Sequence, residues 1–211
     1  MIFVDENYVT LGGDGTSLFE DRRSRFLGYA AHVTTEREAI DFVGSIRKKH
    51  ADARHNVYAY VIKDGGFMRY SDDGEPQGTA GMPVLDVIRK GGFTDAVIVV
   101  TRYFGGILLG TGGLVHAYTE AASLAAADAG IISFEPFHEI LLTTDYSLWQ
   151  KLSHALSSMP IIIDNITWGA DVEVSLAAPI EYSEKIVDLV TEMSSGRDCA
   201  LVVGERYDRR P

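Results

Sequence analysis

The sequence predicts an α+β protein of two domains, residues 1–134 and 135–211, and three observations carry that prediction. Short runs of β-branched and aromatic residues alternate with stretches of helical apolar spacing along the chain. Glu135-Pro136 reads as a linker where the pattern breaks, and beyond it strand, helix, strand, strand, helix and strand follow in order. A chain of 211 residues with 46% hydrophobic content is long enough to bury two cores. The order after the break is that of a ferredoxin-like βαββαβ sandwich, with helices on one face of an antiparallel sheet.

In the first domain, residues 26–33 suit a strand. Thr35 and Glu38 have capping-box spacing, and Ala39, Phe42, Val43 and Ile46 recur at helical intervals as far as His50. Residues 56–62 read as a buried strand, joined through Asp64-Gly65-Gly66 to a second strand over 67–70. Thr79 is placed to cap a short helix that carries Pro83 in its first turn and ends at Gly91. Residues 95–101 are apolar at nearly every position, as in a central strand. A glycine loop follows, then a helix from about Gly113 to Ala129 whose alanines call for close packing on a sheet.

The second domain reads as strand 137–145, helix 148–158, strands 161–168 and 171–177, helix 183–195 and strand 200–206. Ser147 with Gln150 gives another capping-box signal, and Trp149 and Trp168 read as core.

Composition excludes several classes of function. The formal net charge of -11 argues against broad non-specific nucleic-acid binding. Residues 1–134 hold 13 basic and 17 acidic residues, and residues 135–211 hold 6 and 13. Any phosphate site is therefore a local patch in the first domain, where Arg22, Arg23 and Arg25 cluster, as do Arg47, Lys48 and Lys49. The second cluster has a structural reading, since cations at a helix C-terminus complement its dipole. The start of the chain lacks the pattern of a signal peptide, and no apolar run approaches a membrane span. Cys199 has no intramolecular partner, which fits a reducing cytoplasm, and reads as a small semi-buried hydrophobe. The expected location is cytoplasmic, with no membrane partner.

Chemistry concentrates in the glycine block. Gly105, Gly106, Gly110, Gly112 and Gly113 lie between a buried strand and a helix. Consecutive glycines allow backbone N–H groups to converge on one concavity, and a helix N-terminus behind them favours an anion. Phosphate is the obvious anion. Arg102 supplies a charged fork, Thr111 and His116 lie near the same helix start, and Tyr103 or Phe104 offers a stacking surface. The spacing matches neither a P-loop nor Gly-x-Gly-x-x-Gly. The alternative reading, glycines that let the loop cross tightly over the sheet, carries equal weight.

Asp72, Asp73 and Glu75 pose a similar choice between a divalent cation or basic partner and ordinary structure, in which a carboxylate forms the turn, caps a neighbouring helix or pairs with Arg69 or Arg102. The structural reading is favoured for Asp72, whereas Glu75, aimed by Pro76, stays open to function. His55 and His116 read first as structural. No metal-ligand spacing, nucleophile elbow or hydrolytic triad is present, so no catalytic residue, metal or cofactor is assigned.

The runs Ser71-Asp-Asp-Gly-Glu-Pro-Gln-Gly-Thr-Ala-Gly-Met-Pro83 and Thr101-Arg-Tyr-Phe-Gly-Gly-Ile-Leu-Leu-Gly-Thr-Gly-Gly-Leu114 resemble the signature blocks of the YigZ/IMPACT family. Ser24-Arg-Phe26 and Ala53-Arg-His-Asn-Val-Tyr-Ala-Tyr60 support the resemblance, which covers roughly residues 20–130. It implies a first domain of the α+β type shared by a small-subunit ribosomal protein, part of elongation factor G and the GHMP kinases. It implies a ferredoxin-like second domain similar to another domain of elongation factor G. Eukaryotic members regulate translation initiation by competing for the activator of an initiation-factor kinase, and nucleic-acid or ribosome binding is proposed for bacterial ones. The chain lacks the RWD domain of the eukaryotic members, and the family implies no catalytic residues.

The function expected on these grounds is a non-enzymatic regulator associated with translation, binding RNA, the ribosome or a translation-factor partner through the glycine loop. Recruitment of a basic protein by the acidic loop ranks second, and a nucleotide-binding or phosphoryl-transfer enzyme ranks third. The sequence does not fix the oligomeric state.

Overall fold

Alternation along one strand organises the first domain. In the computed structural model, which describes residues 7–210, strand β6 (Ala96–Tyr103) is buried almost throughout. Its even-numbered residues face one layer of helices and its odd-numbered residues the other, as period-2 geometry requires. Around it lie β1 (Tyr8–Leu11), β2 (Gly15–Asp21), β3 (Ser24–His32), β4 (His55–Ile62) and β5 (Phe67–Ser71). The sheet order is β2-β3-β6-β4-β5, with antiparallel neighbours. β1 bridges in parallel to Phe93 through Val9.

Helix α1 (Glu36–Lys49) covers one face, burying Ala39, Val43 and Ile46 against Tyr29, Tyr60, Val97 and Val99. Its N-terminus carries the capping box expected from Thr35 and Glu38. Helices α2 (Gly81–Lys90) and α3 (Gly110–Ala129) cover the other face with Phe26, Val57, Ile98 and Val100. The alanines of α3 let it approach closely. A Cβ on Gly28 of β3 would stand 2.5 Å from the Ala121 carbonyl oxygen, so glycine on the strand matches alanine on the helix.

Strand β7 (Ile131–Thr144) carries the chain past Ser133 into a second unit, which follows the predicted order with α4 (Tyr146–Leu156), β8 (Ile162–Trp168), β9 (Val172–Pro179), α5 (Ile180–Ser194) and β10 (Ala200–Asp208). Its strands pair antiparallel in the order β10-β7-β9-β8, the ferredoxin-like arrangement. Leu152, Leu156, Ile186 and Val190 of the helices pack on Ile140, Leu142, Val174 and Leu176 of the sheet. The fold class is α+β, as predicted.

Several local expectations are corrected. Thr79 does not cap α2: its hydroxyl donates to the Pro76 carbonyl at 2.6 Å. The Asp72 carboxylate caps that helix instead, accepting from the Ala80 and Gly81 N–H groups at 3.1 and 2.8 Å. Asp145, not Ser147, caps α4. Glu135-Pro136 lies within strand β7 rather than in a loop. Trp168 is 58% exposed and leans on Tyr146, and Cys199 is exposed. Strands β1 and β2 have no counterpart in the sequence reading; in the edge strand β2 the exposed positions (Thr16, Leu18, Glu20) and the covered ones (Ser17, Phe19, Asp21) each mix polar and apolar residues, so no alternation marks it.

Candidate functional site

The register of β6 sets the site. Arg102 pairs across the sheet with Phe26 of β3 on one side and His55 of β4 on the other. All three therefore share the face covered by α3, while Thr101 and Tyr103 point to the face covered by α1. Thr101 donates to Asn56 Oδ1 at 2.7 Å. The Tyr103 hydroxyl donates to Asp52 at 2.9 Å and lies 3.0 Å from His50 Nδ1. Tyr103 is thus separated from Arg102, although the two are adjacent in sequence.

Between β5 and α2 the acidic loop distributes its carboxylates among different elements. Asp72 caps α2, and its other oxygen accepts from the Gly78 N–H at 3.0 Å. Asp73 accepts from the Asn56 N–H at 2.7 Å and from Arg47 Nη2 at 2.8 Å. Its carbonyl lies 2.7 Å from His55 Nδ1. A carbonyl only accepts, so Nδ1 carries the proton, and Nε2 lies 3.9 Å from Glu75 Oε1. Glu75 is buried and takes two donors on one oxygen, Arg102 Nη1 at 2.6 Å and the Tyr118 hydroxyl at 2.8 Å. Burial, with Glu75 beside it, pushes the Tyr118 phenol far above its ordinary range, so it stays a donor. Among the described residues no cluster of three His, Cys, Asp or Glu side chains could hold a metal ion.

Arg102 lies between two rings, its guanidinium carbon 5.5 Å from the centroids of both Phe26 and Phe104. Both distances fall within cation–π range. Its Nε is buried and has no acceptor among the described residues. Because Glu75 already balances its charge, Arg102 orders the site more than it adds net positive potential.

The glycines divide between the two readings. A Cβ on Gly105 would stand 2.1 Å from the Arg23 backbone carbon, so that residue serves the close crossing of loop over strand. The Gly105 N–H donates to Ser24 Oγ at 3.1 Å. Gly113 abuts the Leu109 Cβ at 2.9 Å from its own notional Cβ. Gly106, Gly110 and Gly112, by contrast, face open space. Helix α3 begins at Gly110 with no side-chain cap, and Thr111 is exposed in its first turn. This end opens on a cavity of about 440 Å³ lined in part by Arg54, His55, Glu75, Arg102, Phe104 and Thr111. His116 lies outside that lining, exposed and edge-on to Phe19 at 5.7 Å.

Two participants escaped the sequence reading. Arg54 is an exposed cation at the cavity, and its signal was the register of His55 opposite Arg102. Tyr118 reads in sequence as an apolar helix position. The neighbouring hairpin also departs from pattern: Arg22 and Arg23 form its two-residue turn with φ of 44° and 67°. Such turns favour Asn-Gly, and non-glycine residues with positive φ are uncommon. Arg22 Nη1 reaches the Leu108 carbonyl at 3.3 Å, which brings this basic turn beside the glycine loop.

Comparisons with known proteins agree with this architecture. Residues 22–126 match the Impact N-terminal domain, and residues 142–197 match a domain of unknown function, DUF1949. The IMPACT family member YvyE of Bacillus subtilis is 33% identical over 192 residues, covering 90% of this chain and 88% of that one. The IMPACT family member YigZ of Escherichia coli is 35% identical over 190 residues, covering 87% of this chain and 93% of its own. A solved structure titled "Crystal structure of an hypothetical protein" aligns with a TM-score of 0.60 and 32% identity, over 95% of this chain and 99% of that one. With both domains matched and near-full-length relatives at this identity, the chain belongs to the IMPACT family.

Proposed function

We propose that the chain is a non-enzymatic regulator associated with translation, which binds RNA phosphate, as on the ribosome, at the first turn of α3. The observation that carries this reading is the uncapped N-terminus of a 20-residue helix opening on a cavity where Arg54 is an exposed cation. Free N–H groups and the helix dipole favour an anion there by about 0.3–1 kcal/mol in an exposed setting. The basic Arg22-Arg23 turn beside the loop supports the same choice. In the second unit Arg206 is held bidentately by Asp164, and Arg210 by Glu135, so these two cations are already engaged by carboxylates. Internal engagement of Asp72, Asp73 and Glu75 weighs against recruitment of a basic protein through those carboxylates.

The test is RNA and ribosome affinity as a function of salt, since binding through phosphate weakens linearly in log–log form as salt rises. Arg102 is a poor variant here because its loss disturbs the buried pair. Thr111→Glu places a carboxylate in the first turn of α3, where it favours the helix but repels an anion. Arg54→Ala removes an exposed cation. Each is expected to weaken binding several-fold without loss of folding. Absence of binding at low salt, or affinity unchanged in both variants, refutes the reading.

A further inference from the structure

We propose that the cavity at the start of α3 accepts an unpaired nucleotide, its phosphate at the N–H groups of the first turn and its base on Phe104. This rests on the anion-binding reading above and names the ligand class. Phe104 lines the cavity and is 44% exposed, so its ring is open to a ligand there. One face of its ring is backed by the Arg102 guanidinium. Arg102 is itself fixed by Phe26 behind it and by the Glu75 carboxylate, which Tyr118 also holds. The ring is therefore a braced platform. Leu108, 79% exposed, adds apolar surface at the same wall.

Donor groups accompany the platform. The helix N–H groups and Arg54 donate, which suits phosphate. His55, with Nε2 3.9 Å from the buried Glu75 carboxylate, closes the same wall. Arg102 Nε, buried in a residue only 6% exposed, remains without an acceptor beside the same cavity. A naked phosphate makes no use of the ring, whereas a nucleotide stacks its base on it. A paired base has its faces buried in the duplex stack, so the ligand must be unpaired.

The experiment measures affinity of the full chain at about 50 mM salt, a low-salt condition for phosphate contacts. Its probes are a labelled single-stranded oligoribonucleotide, the same strand in a duplex, the free mononucleotides, and inorganic tripolyphosphate. Phe104→Leu keeps an apolar cover over Arg102, Phe104→Tyr keeps the aromatic face, and circular dichroism verifies the fold of both. Phe104→Leu is expected to weaken the single strand about 5–150-fold, the range for loss of one base stack. Tripolyphosphate binding stays unchanged in that variant, and Phe104→Tyr binds the strand like the parent. Mononucleotide affinity equal to that of the strand assigns a free nucleotide as the source, and weaker affinity assigns a strand. Equal binding of duplex and single strand, or strand binding unaffected by Phe104→Leu while tripolyphosphate still binds, overturns the nucleotide inference alone. If no probe binds, the anion-binding reading falls with it.

Discussion

Replacing Arg102 with methionine removes a charge from one of the most enclosed ion pairs in the molecule. The side chains of Arg102 and Glu75 are 7% and 4% exposed, and their closest atoms are 2.6 Å apart. Loss of one partner leaves the other charge desolvated, which costs about 3–5 kcal/mol. At about 2–4 °C per kcal/mol for chains of this size, the melting temperature of the first unit falls by roughly 6–20 °C. Glu75→Gln has a similar cost, since the amide oxygen still accepts from Tyr118 but the guanidinium charge is left uncompensated. Combining Arg102→Met with Glu75→Gln removes both charges and should return stability to within about 1–2 kcal/mol of the parent, because buried pairs replaced together are often neutral. Both tryptophans, Trp149 and Trp168, lie in the second unit, so the transition is followed by far-ultraviolet circular dichroism under urea rather than by tryptophan emission. A single-variant cost below about 1 kcal/mol, or a double variant as unstable as the sum of the singles, refutes the argument.

Further predictions concern neighbouring features. Gly105→Ala drives a methyl group into the Arg23 backbone and should destabilise by at least about 1–3 kcal/mol, the overpacking range. Gly112→Ala, whose methyl meets nothing within 4 Å, should gain up to about 1 kcal/mol in urea unfolding. Asp72→Ala removes the α2 cap and should cost about 0.5–2 kcal/mol, read as a shift in denaturation midpoint. Burial holds His50 below its ordinary pKa of 6.5, with Lys49 adding to the effect and Asp52 opposing it. The unfolded chain then binds more protons just below that pH, so stability is complete above about pH 6.5 and falls as the solution is acidified through it, until the native pKa is passed. His50→Gln should flatten this part of the stability profile, and an unchanged profile refutes the assignment.

How much the sequence disclosed depended on whether a signal was local. The Thr35–Glu38 box, the β6 run and the alanine face of α3 are read within one element, and each element formed where its spacing placed it. Residues acting across long separations were harder to read. Asp72, read as a turn or capping carboxylate, does cap a helix, but at N–H groups eight and nine residues ahead, so local spacing points to Thr79 for that helix instead. The glycine block and acidic loop stood out by composition, but their partition did not. Whether Gly105 or Gly112 faces a wall depends on the Arg23 hairpin, more than 80 residues earlier in the chain. Tyr103 and Arg102 were grouped by adjacency, although strand alternation sends neighbours to opposite faces. Trp168 was read as core by residue type, but it lies at the end of strand β8, where it remains exposed.

The engagement of Asp72, Asp73 and Glu75 by separate elements also has a kinetic consequence. Their partners lie on α1, β4, β6, α2 and α3, so most of these bonds form only after distant parts of the chain have assembled. Interactions that arise after the folding barrier leave the refolding rate nearly unchanged and act on escape from the native state. Variants at Glu75 or Asp73 should therefore move the unfolding arm of a chevron plot and leave the folding arm in place; a shift confined to the folding arm would contradict this. On that account the loop acts as a latch, setting how long the cavity and its platform persist once formed.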